Sequence, residues 1–212
     1  MAKKGQFGIQ LNRVPAWPLP WETAQFLIDK GQEELESGVT RIPYLLFLVG
    51  FYTGFRWSDI RWLQFKDFDS DRLVRVEKKT GKPRSIMIHP RLSEGVNFAR
   101  YRLNLQGDDY LFWEPIRKAL RVKNQKRLAP ISHQGACFIV GRYFKKYAVD
   151  GLPTMHTMRK TFALRVYEQA GKTEEALVLV STILNHEDTA TTRTYIGLFR
   201  ESKRVQKAYL SL

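Results

Sequence analysis

Apolar and polar positions along this chain follow two rhythms. From Trp21 towards Glu36, Phe26, Leu27 and Ile28 form the apolar side of a helix whose other positions are charged or polar. Residues 41–53 are strongly apolar and stop at Gly54, which predicts a second helix ended by a residue that tolerates left-handed backbone. Ser58 is placed to cap a short helix running through Leu63. The period then changes. Leu73-Val74-Arg75-Val76-Glu77 alternates, as does Ser85-Ile86-Met87-Ile88, and Lys78-Lys79-Thr80-Gly81-Lys82-Pro83 lies between them. That is a β-hairpin with a Gly-containing, basic tip. Beyond Pro90 the helical rhythm returns over about 91–105, 133–149, 156–170 and 173–185, with short helical pieces to the end. Before Trp21, Pro15, Pro18 and Pro20 favour extended chain. The expected fold is mainly α with one small antiparallel β-sheet, an α+β domain over 19–212 preceded by a basic, proline-containing arm over 1–18.

Composition narrows the function. The 212 residues suffice for one sizeable core. Thirty-five Lys and Arg against 21 Asp and Glu leave a formal charge of +14, a field suited to a polyanion such as nucleic acid. Cys137 is the single cysteine, so no internal disulfide and no cysteine-based zinc site can form. The four histidines, His89, His133, His156 and His186, are too dispersed for an obvious metal site, and His89 and His133 read as surface residues. No Gly-rich phosphate loop and no carboxylate cluster for a two-metal site occurs, so the chemistry is expected to need neither cofactor nor metal. The N-terminus lacks a secretory apolar stretch, and the longest apolar run, Tyr44–Tyr52, falls far short of the roughly 20 residues of a membrane span. A soluble, cytoplasmic protein is expected.

Three clusters carry candidate chemistry. In Thr53-Gly54-Phe55-Arg56-Trp57-Ser58-Asp59, Arg56 follows a helix stop, where a guanidinium can project its planar fork of donors at phosphate oxygens. In His156-Thr157-Met158-Arg159-Lys160-Thr161-Phe162-Ala163, His156 and Arg159 share a helix face at a spacing of three. In Leu184-Asn185-His186 and Thr194-Tyr195-Ile196, a tyrosine follows a histidine by nine residues across a Thr-rich stretch. A tyrosine hydroxyl is a poor nucleophile until neighbouring cations and a base activate it. Taken singly, these clusters also fit a surface arginine, a solvated helix face and a buried tyrosine.

Taken together and in this order, they resemble the tyrosine recombinase (phage integrase) family over roughly residues 19–200. Thr-Gly-Phe-Arg-Trp-Ser-Asp is similar to the family's first arginine box, and Lys79-Thr80-Gly81 to its lysine turn. His-Thr-Met-Arg-Lys-Thr-Phe-Ala is similar to its His-x-x-Arg box, and Leu-Asn-His through Thr-x-x-Tyr-Ile to its nucleophile box. Phe55, Asn185 and Asp59 depart from the commoner Leu, Gly and Glu at supporting positions. The resemblance implies the family's catalytic-domain fold and a site-specific recombinase that cleaves and rejoins DNA through a 3′-phosphotyrosyl intermediate. Tyr195 is then the nucleophile, Arg56 and Arg159 clamp the non-bridging oxygens, and His186 donates to the same phosphate. His156 accepts the tyrosine proton or orients the phosphate, Lys79 protonates the departing 5′-oxygen, and Asp59 braces an arginine from behind. Lys78, Lys82 and Arg84 in the hairpin, Arg142, Lys145 and Lys146 on the 133–149 helix, and Lys160 are expected to contact DNA phosphates.

The partners implied are double-stranded target DNA, a homotetramer on two duplexes formed from a monomer or weak oligomer, and accessory DNA-bending proteins. About 18 residues precede the catalytic fold, so the chain is expected to be either a fragment lacking an N-terminal clamp domain or a single-domain recombinase. The tail over about 198–212 is expected to dock on a neighbouring subunit, with packing on its own core as the alternative. Two other readings compete. One is a type IB topoisomerase-like or telomere-resolvase-like strand transferase with the same residues, and the other is a non-catalytic DNA-binding regulator.

Overall fold

The computed structural model describes residues 16–113, 130–198 and 209–210. The chain forms α1 (Trp21–Glu36), α2 (Ile42–Thr53), α3 (Trp57–Ile60), a 3₁₀ turn (Phe65–Phe68), β1 (Arg72–Val76) and β2 (Pro83–Met87). There follow α4 (Pro90–Arg102), α5 (His133–Lys146), α6 (Met155–Gln169), α7 (Glu174–Leu184) and α8 (Thr189–Ile196). Among the described residues, a set of packed helices with one antiparallel two-stranded sheet matches the expected fold class.

Helix α2 is the axis. Its apolar residues run all round the helix, so it is stable only when covered on every side. It is wrapped by α1, α4, α5 and α6. The approach of α1 needs Gly31, because a Cβ there would lie 2.7 Å from the Tyr44 Cα. Leu27, Ile28 and Leu35 of α1, Leu92 and Val96 of α4, and Val140 and Tyr143 of α5 complete this main core. A second, smaller core gathers Ala163 and Tyr167 of α6, Leu177, Val180 and Leu184 of α7, and Ile196 of α8. Helix α6 therefore belongs to both cores and joins them.

The sheet pairs Arg72 with Met87 and Val76 with Pro83. Its inward residues are Leu73 and Arg84, with Glu77 continuing the inward set just past the end of β1. At the tip, the Gly81 N–H donates to the Glu77 carbonyl (2.8 Å) and the Glu77 N–H to the Lys82 carbonyl (3.0 Å). Gly81 takes the left-handed φ of +68° that this turn requires.

The expected elements occur with small shifts at their ends. One local expectation fails. Ser58 does not cap α3; Arg56 occupies the N-cap position, and the Ser58 hydroxyl donates to Asp59 Oδ1 (2.9 Å). Residues 1–15 of the expected arm, and 199–208 and 211–212 of the expected docking tail, lie outside the described residues. Among the described residues, no helix is long and apolar enough to cross a membrane.

Candidate active site

Helix α2 ends at Gly54, whose φ of +56° turns the chain sharply. Arg56 follows in extended backbone as the N-cap of α3, so its side chain leaves the corner rather than lying along a helix. Its Nη1 stands 2.7 Å from Glu77 Oε2 in an ion pair whose arginine is 19% exposed and whose carboxylate is fully buried. The Thr80 hydroxyl donates to the same carboxylate oxygen at 3.0 Å.

Arg159 approaches from α6 and is 2% exposed. Its Nη1 donates to the Gly54 carbonyl (2.7 Å) and its Nη2 to the Leu184 carbonyl (2.8 Å). It thereby joins the corner that carries Arg56 to the end of α7, beyond which His186 lies. The same Nη1 is 3.9 Å from Glu77 Oε1, so one carboxylate faces both arginines. Burial alone would raise the Glu77 pKa. The hydrogen bonds from Arg56 and Thr80, with the Arg56 charge, outweigh burial and hold it below the ordinary carboxylate value.

Helix α7 stops at Asn185 in left-handed backbone, which turns the chain so that His186 leaves the helix axis. The His186 N–H donates to the Ser181 carbonyl (2.9 Å), and its Nδ1 meets the Thr192 hydroxyl at 3.0 Å. With Nδ1 engaged, Nε2 is the nitrogen left for an outside partner. Burial, then the charges of Arg159 and Arg56, push the His186 pKa down to about 4, so the ring is neutral at pH 7.

Tyr195 lies near the end of α8, the helix capped by Asp188. Its ring meets the His186 ring edge-on at 5.0 Å, and Lys160 Nζ lies 4.9 Å from its centroid. Its hydroxyl is buried beside the Arg159 guanidinium. Burial raises its pKa, and the nearby charges of Arg159, Arg56 and Arg84 only partly oppose that rise. The nucleophile candidate is thus protonated and sequestered.

A pocket of about 180 Å³ is lined by Phe55, Arg56, Trp57, Ser58, His133, Met155, His156 and Arg159. His156 is exposed at the start of α6, with its pKa lowered by desolvation and by the charges of Arg159 and Lys160. The structure therefore brings Arg56, His156 and Arg159 to one pocket. It sets His186 and Tyr195 beside each other, next to Arg159 but outside the residues that line this pocket. Lys79 stays exposed at the hairpin tip, outside this pocket.

Several sequence expectations need correction. Asp59 does not brace an arginine: its Oδ1 accepts from the Lys78 N–H (3.0 Å) and Ser58, pinning the hairpin to α3. Glu77 holds the arginine instead. Arg84 is not a surface contact for DNA; it is 4% exposed and donates to the Gly54 (3.1 Å) and Thr53 (2.6 Å) carbonyls. His133 is exposed, as expected of a surface residue, and it also lines the pocket. Lys160 lies half-buried between the rings of Trp17 and Tyr195, and burial lowers its pKa. Arg142 (3.2 Å) and Lys146 (3.5 Å) share Glu34 of α1 as an ion-pair partner and, like Lys145, Lys78 and Lys82, are exposed. His89 caps α4 by accepting the Arg91 N–H on Nδ1 at 3.1 Å. Among the described residues no group of three His, Cys, Asp or Glu side chains could hold a metal ion.

The arrangement of helices and hairpin is that of the tyrosine recombinase catalytic domain. It superposes on the crystal structure of XerA recombinase with a TM-score of 0.64 and 22% identity, covering 92% of this chain and 66% of that one. It superposes on XerH site-specific recombinase bound to its difH substrate with a TM-score of 0.59 and 21% identity, covering 91% and 54%. The chain thus spans between about half and two-thirds of the length of these solved recombinases. Residues 34–201 match the model of the phage integrase family, and the chain belongs to that family. It is also 30% identical over 184 residues to the probable integrase/recombinase YoeC of Bacillus subtilis (strain 168), covering 86% of this chain and 87% of that protein.

Proposed function

We propose that this protein is a site-specific DNA recombinase that cuts and rejoins double-stranded DNA through a transient bond between Tyr195 and a 3′-phosphate. The observation that carries this reading is Arg159, whose two nitrogens bind the corner that presents Arg56 and the helix end that presents His186. The tether links the pocket lined by Arg56, Arg159 and His156 to the neighbouring pair of His186 and Tyr195.

In the cleavage step, Tyr195 Oη attacks phosphorus and loses its proton, the P–O5′ bond breaks, and the 5′-oxygen leaves as a hydroxyl after gaining a proton. Arg56 and Arg159 oppose the charge that grows on the non-bridging oxygens, in a setting already organised by Glu77 and Gly54. His186, neutral and fixed through Nδ1 by Thr192, offers Nε2 to the same phosphate. His156 is neutral at pH 7, the form that accepts a proton, and lies beside both arginines. Lys79, exposed at the hairpin tip, supplies the proton to the 5′-oxygen. The phosphotyrosyl bond conserves the energy of the diester, so attack by a 5′-hydroxyl from another strand completes the exchange without ATP.

Two further features support double-stranded DNA as the substrate: the formal charge of +14, and a structural neighbour solved on its recombination site. A homotetramer on two duplexes accounts for exchange between two cut sites.

A covalent trap tests the reading. A target duplex, recovered from a random pool by binding, carries a nick that lets the cleaved fragment escape. The wild type is expected to give a detergent-resistant protein–DNA adduct and Tyr195→Phe none. An adduct that persists in Tyr195→Phe overturns the assignment of the nucleophile. Specific binding without any adduct favours a regulator that only binds DNA.

A further inference from the structure

Arg84 is a third guanidinium in the catalytic region, and the recombination chemistry above makes no use of it. It sits on β2 and is 4% exposed. Its hydrogen bonds go to two backbone carbonyls: Nη2 donates to Thr53 (2.6 Å) and Nη1 to Gly54 (3.1 Å). The Gly54 carbonyl also accepts from Arg159 at 2.7 Å, so one oxygen is shared by two arginines. The Arg84 guanidinium lies 4.0 Å from the centre of the Phe55 ring, the residue just before Arg56. Three consecutive residues leading into Arg56 are therefore held by one side chain from the strand that closes the lysine hairpin.

Charge gives the contact a second meaning. A cation this deep is costly unless something answers it, yet among the described residues no carboxylate pairs with it within salt-bridge distance. Glu77 and Asp59 are the anionic side chains near Arg56, Arg84 and Arg159, so this buried group keeps one surplus positive charge. A phosphodiester brings one negative charge, and the transition state for displacement brings a second. A neutral residue at position 84 would leave the group without its surplus before DNA arrives.

We propose that Arg84 is a positioning residue of the recombination site: its fork fixes the Thr53–Phe55 corner from which Arg56 projects, and its unpaired charge contributes to the field that holds the scissile phosphate. The role rests on that phosphate lying at Arg56 and Arg159. Arg84 acts through the corner and through the field, without touching DNA.

The two parts of the role separate on two substrates. One is the nicked target duplex recovered by selection; the other is the same duplex with a methyl group replacing one non-bridging oxygen of the scissile phosphate, which removes its charge. Arg84→Gln is expected to slow adduct formation by about 10- to 100-fold on the ordinary duplex, less than the roughly 10²- to 10³-fold lost when a donor in direct contact with the reacting oxygen is removed. On the uncharged duplex its deficit should shrink to a few-fold, because less charge then needs opposing. Arg84→Lys keeps the charge and loses the fork, so it should be slowed by the same factor on both duplexes. An equal deficit for Arg84→Gln on both duplexes, or wild-type rates on the ordinary one, overturns the field role. Thermal unfolding is measured alongside. If the Gln variant does not fold, the Lys variant decides, since a ratio of rates on the two duplexes different from the wild type's sinks the proposal. An adduct surviving in Tyr195→Phe on the same duplexes would instead defeat the phosphotyrosyl reading.

Discussion

Glu77 and Arg56 form an ion pair at 2.7 Å in which the carboxylate has no exposure to solvent. A buried carboxylate between two buried or half-buried arginines does more than neutralise charge. It sets the distance between the two guanidiniums to which the proposed function assigns the phosphate, because it faces Arg56 through one oxygen and Arg159 through the other. Glu77→Ala would leave that site with unanswered cations. The loss of one member of a buried pair costs about 3–5 kcal/mol. Chemical denaturation should show a loss of that order, and adduct formation should fall with it. Glu77→Gln, which keeps the shape and a partner for Thr80, should lose less stability. An Ala variant as stable as the wild type would remove Glu77 from any organising role.

The same pair makes a prediction about acid. The folded-state pKa of Glu77 is lowered relative to the ordinary value, so its stabilisation is present above the unfolded pKa and is lost as pH falls through the folded one. Histidine 186 works in a higher window. Its folded pKa of about 4 lies below the ordinary 6.5, so the unfolded chain binds the proton first as pH falls. Stability from a neutral, buried imidazole is full above 6.5 and declines between about 6.5 and about 4. Denaturation midpoints measured across that range should slope downward towards acid in the wild type and less so in His186→Gln. Equal slopes in the two proteins would place the titration elsewhere.

Gly54 is predicted to tolerate no side chain. Its φ of +56° disfavours any L-residue, and a Cβ there would lie 2.2 Å from Phe162 Cδ1. Strain at such a backbone position costs about 1–3 kcal/mol, with crowding of a similar size on top. Gly54→Ala should therefore lower the thermal midpoint sharply. Phe162→Leu should restore part of the loss by relieving the clash but not the backbone. Full recovery in the double variant would mean that the left-handed backbone carries no cost. Activity should fall further than stability, because the Gly54 carbonyl anchors both Arg159 and Arg84.

How legible this site was in the sequence depended on which signal each residue carried. Arg56, His156, Arg159, His186 and Tyr195 stand in patterned stretches, and the helices around them follow from apolar spacing and from the stops at Gly54 and Asn185. Glu77 drew no expectation and Arg84 was expected to contact DNA, yet strand parity carries a signal for both. Leu73, Arg75 and Glu77 share one face of the hairpin, as do Arg84, Ile86 and Ile88, so a charge at 77 or 84 points at the core. Judged by composition alone, Arg84 looks like one more cation of a basic tip. Judged by parity, it belongs with the core residues. Asp59 illustrates a limit of a different kind. A carboxylate 19 residues before the hairpin tip has no sequence signal that says it will accept the Lys78 N–H rather than an arginine. The place of His133 in the pocket likewise depends on how α5 packs against the rest of the fold, which local pattern does not specify.

Lys79 offers the sharpest test among the three lysines of the tip, all of them exposed. If its ammonium protonates the departing 5′-oxygen, the need for it arises because an alkoxide is a poor leaving group. Replacing that bridging oxygen by sulfur changes the leaving group to a thiolate, whose conjugate acid has a pKa near 8.5 in the Cys reference and needs no proton to depart. Lys79→Ala should then be slowed by about 10²- to 10⁴-fold on the oxygen substrate, the usual span for general-acid catalysis, and cleave the sulfur substrate at close to the wild-type rate. Lys78→Ala and Lys82→Ala should bind DNA less tightly, with binding more easily recovered at low salt, and should show no preference for sulfur. Should the sulfur substrate rescue Lys82→Ala and leave Lys79→Ala slow, the proton donor is Lys82, and the turn presents its other end to the leaving group. Should it rescue neither, the proton reaches the 5′-oxygen from a group outside the hairpin tip.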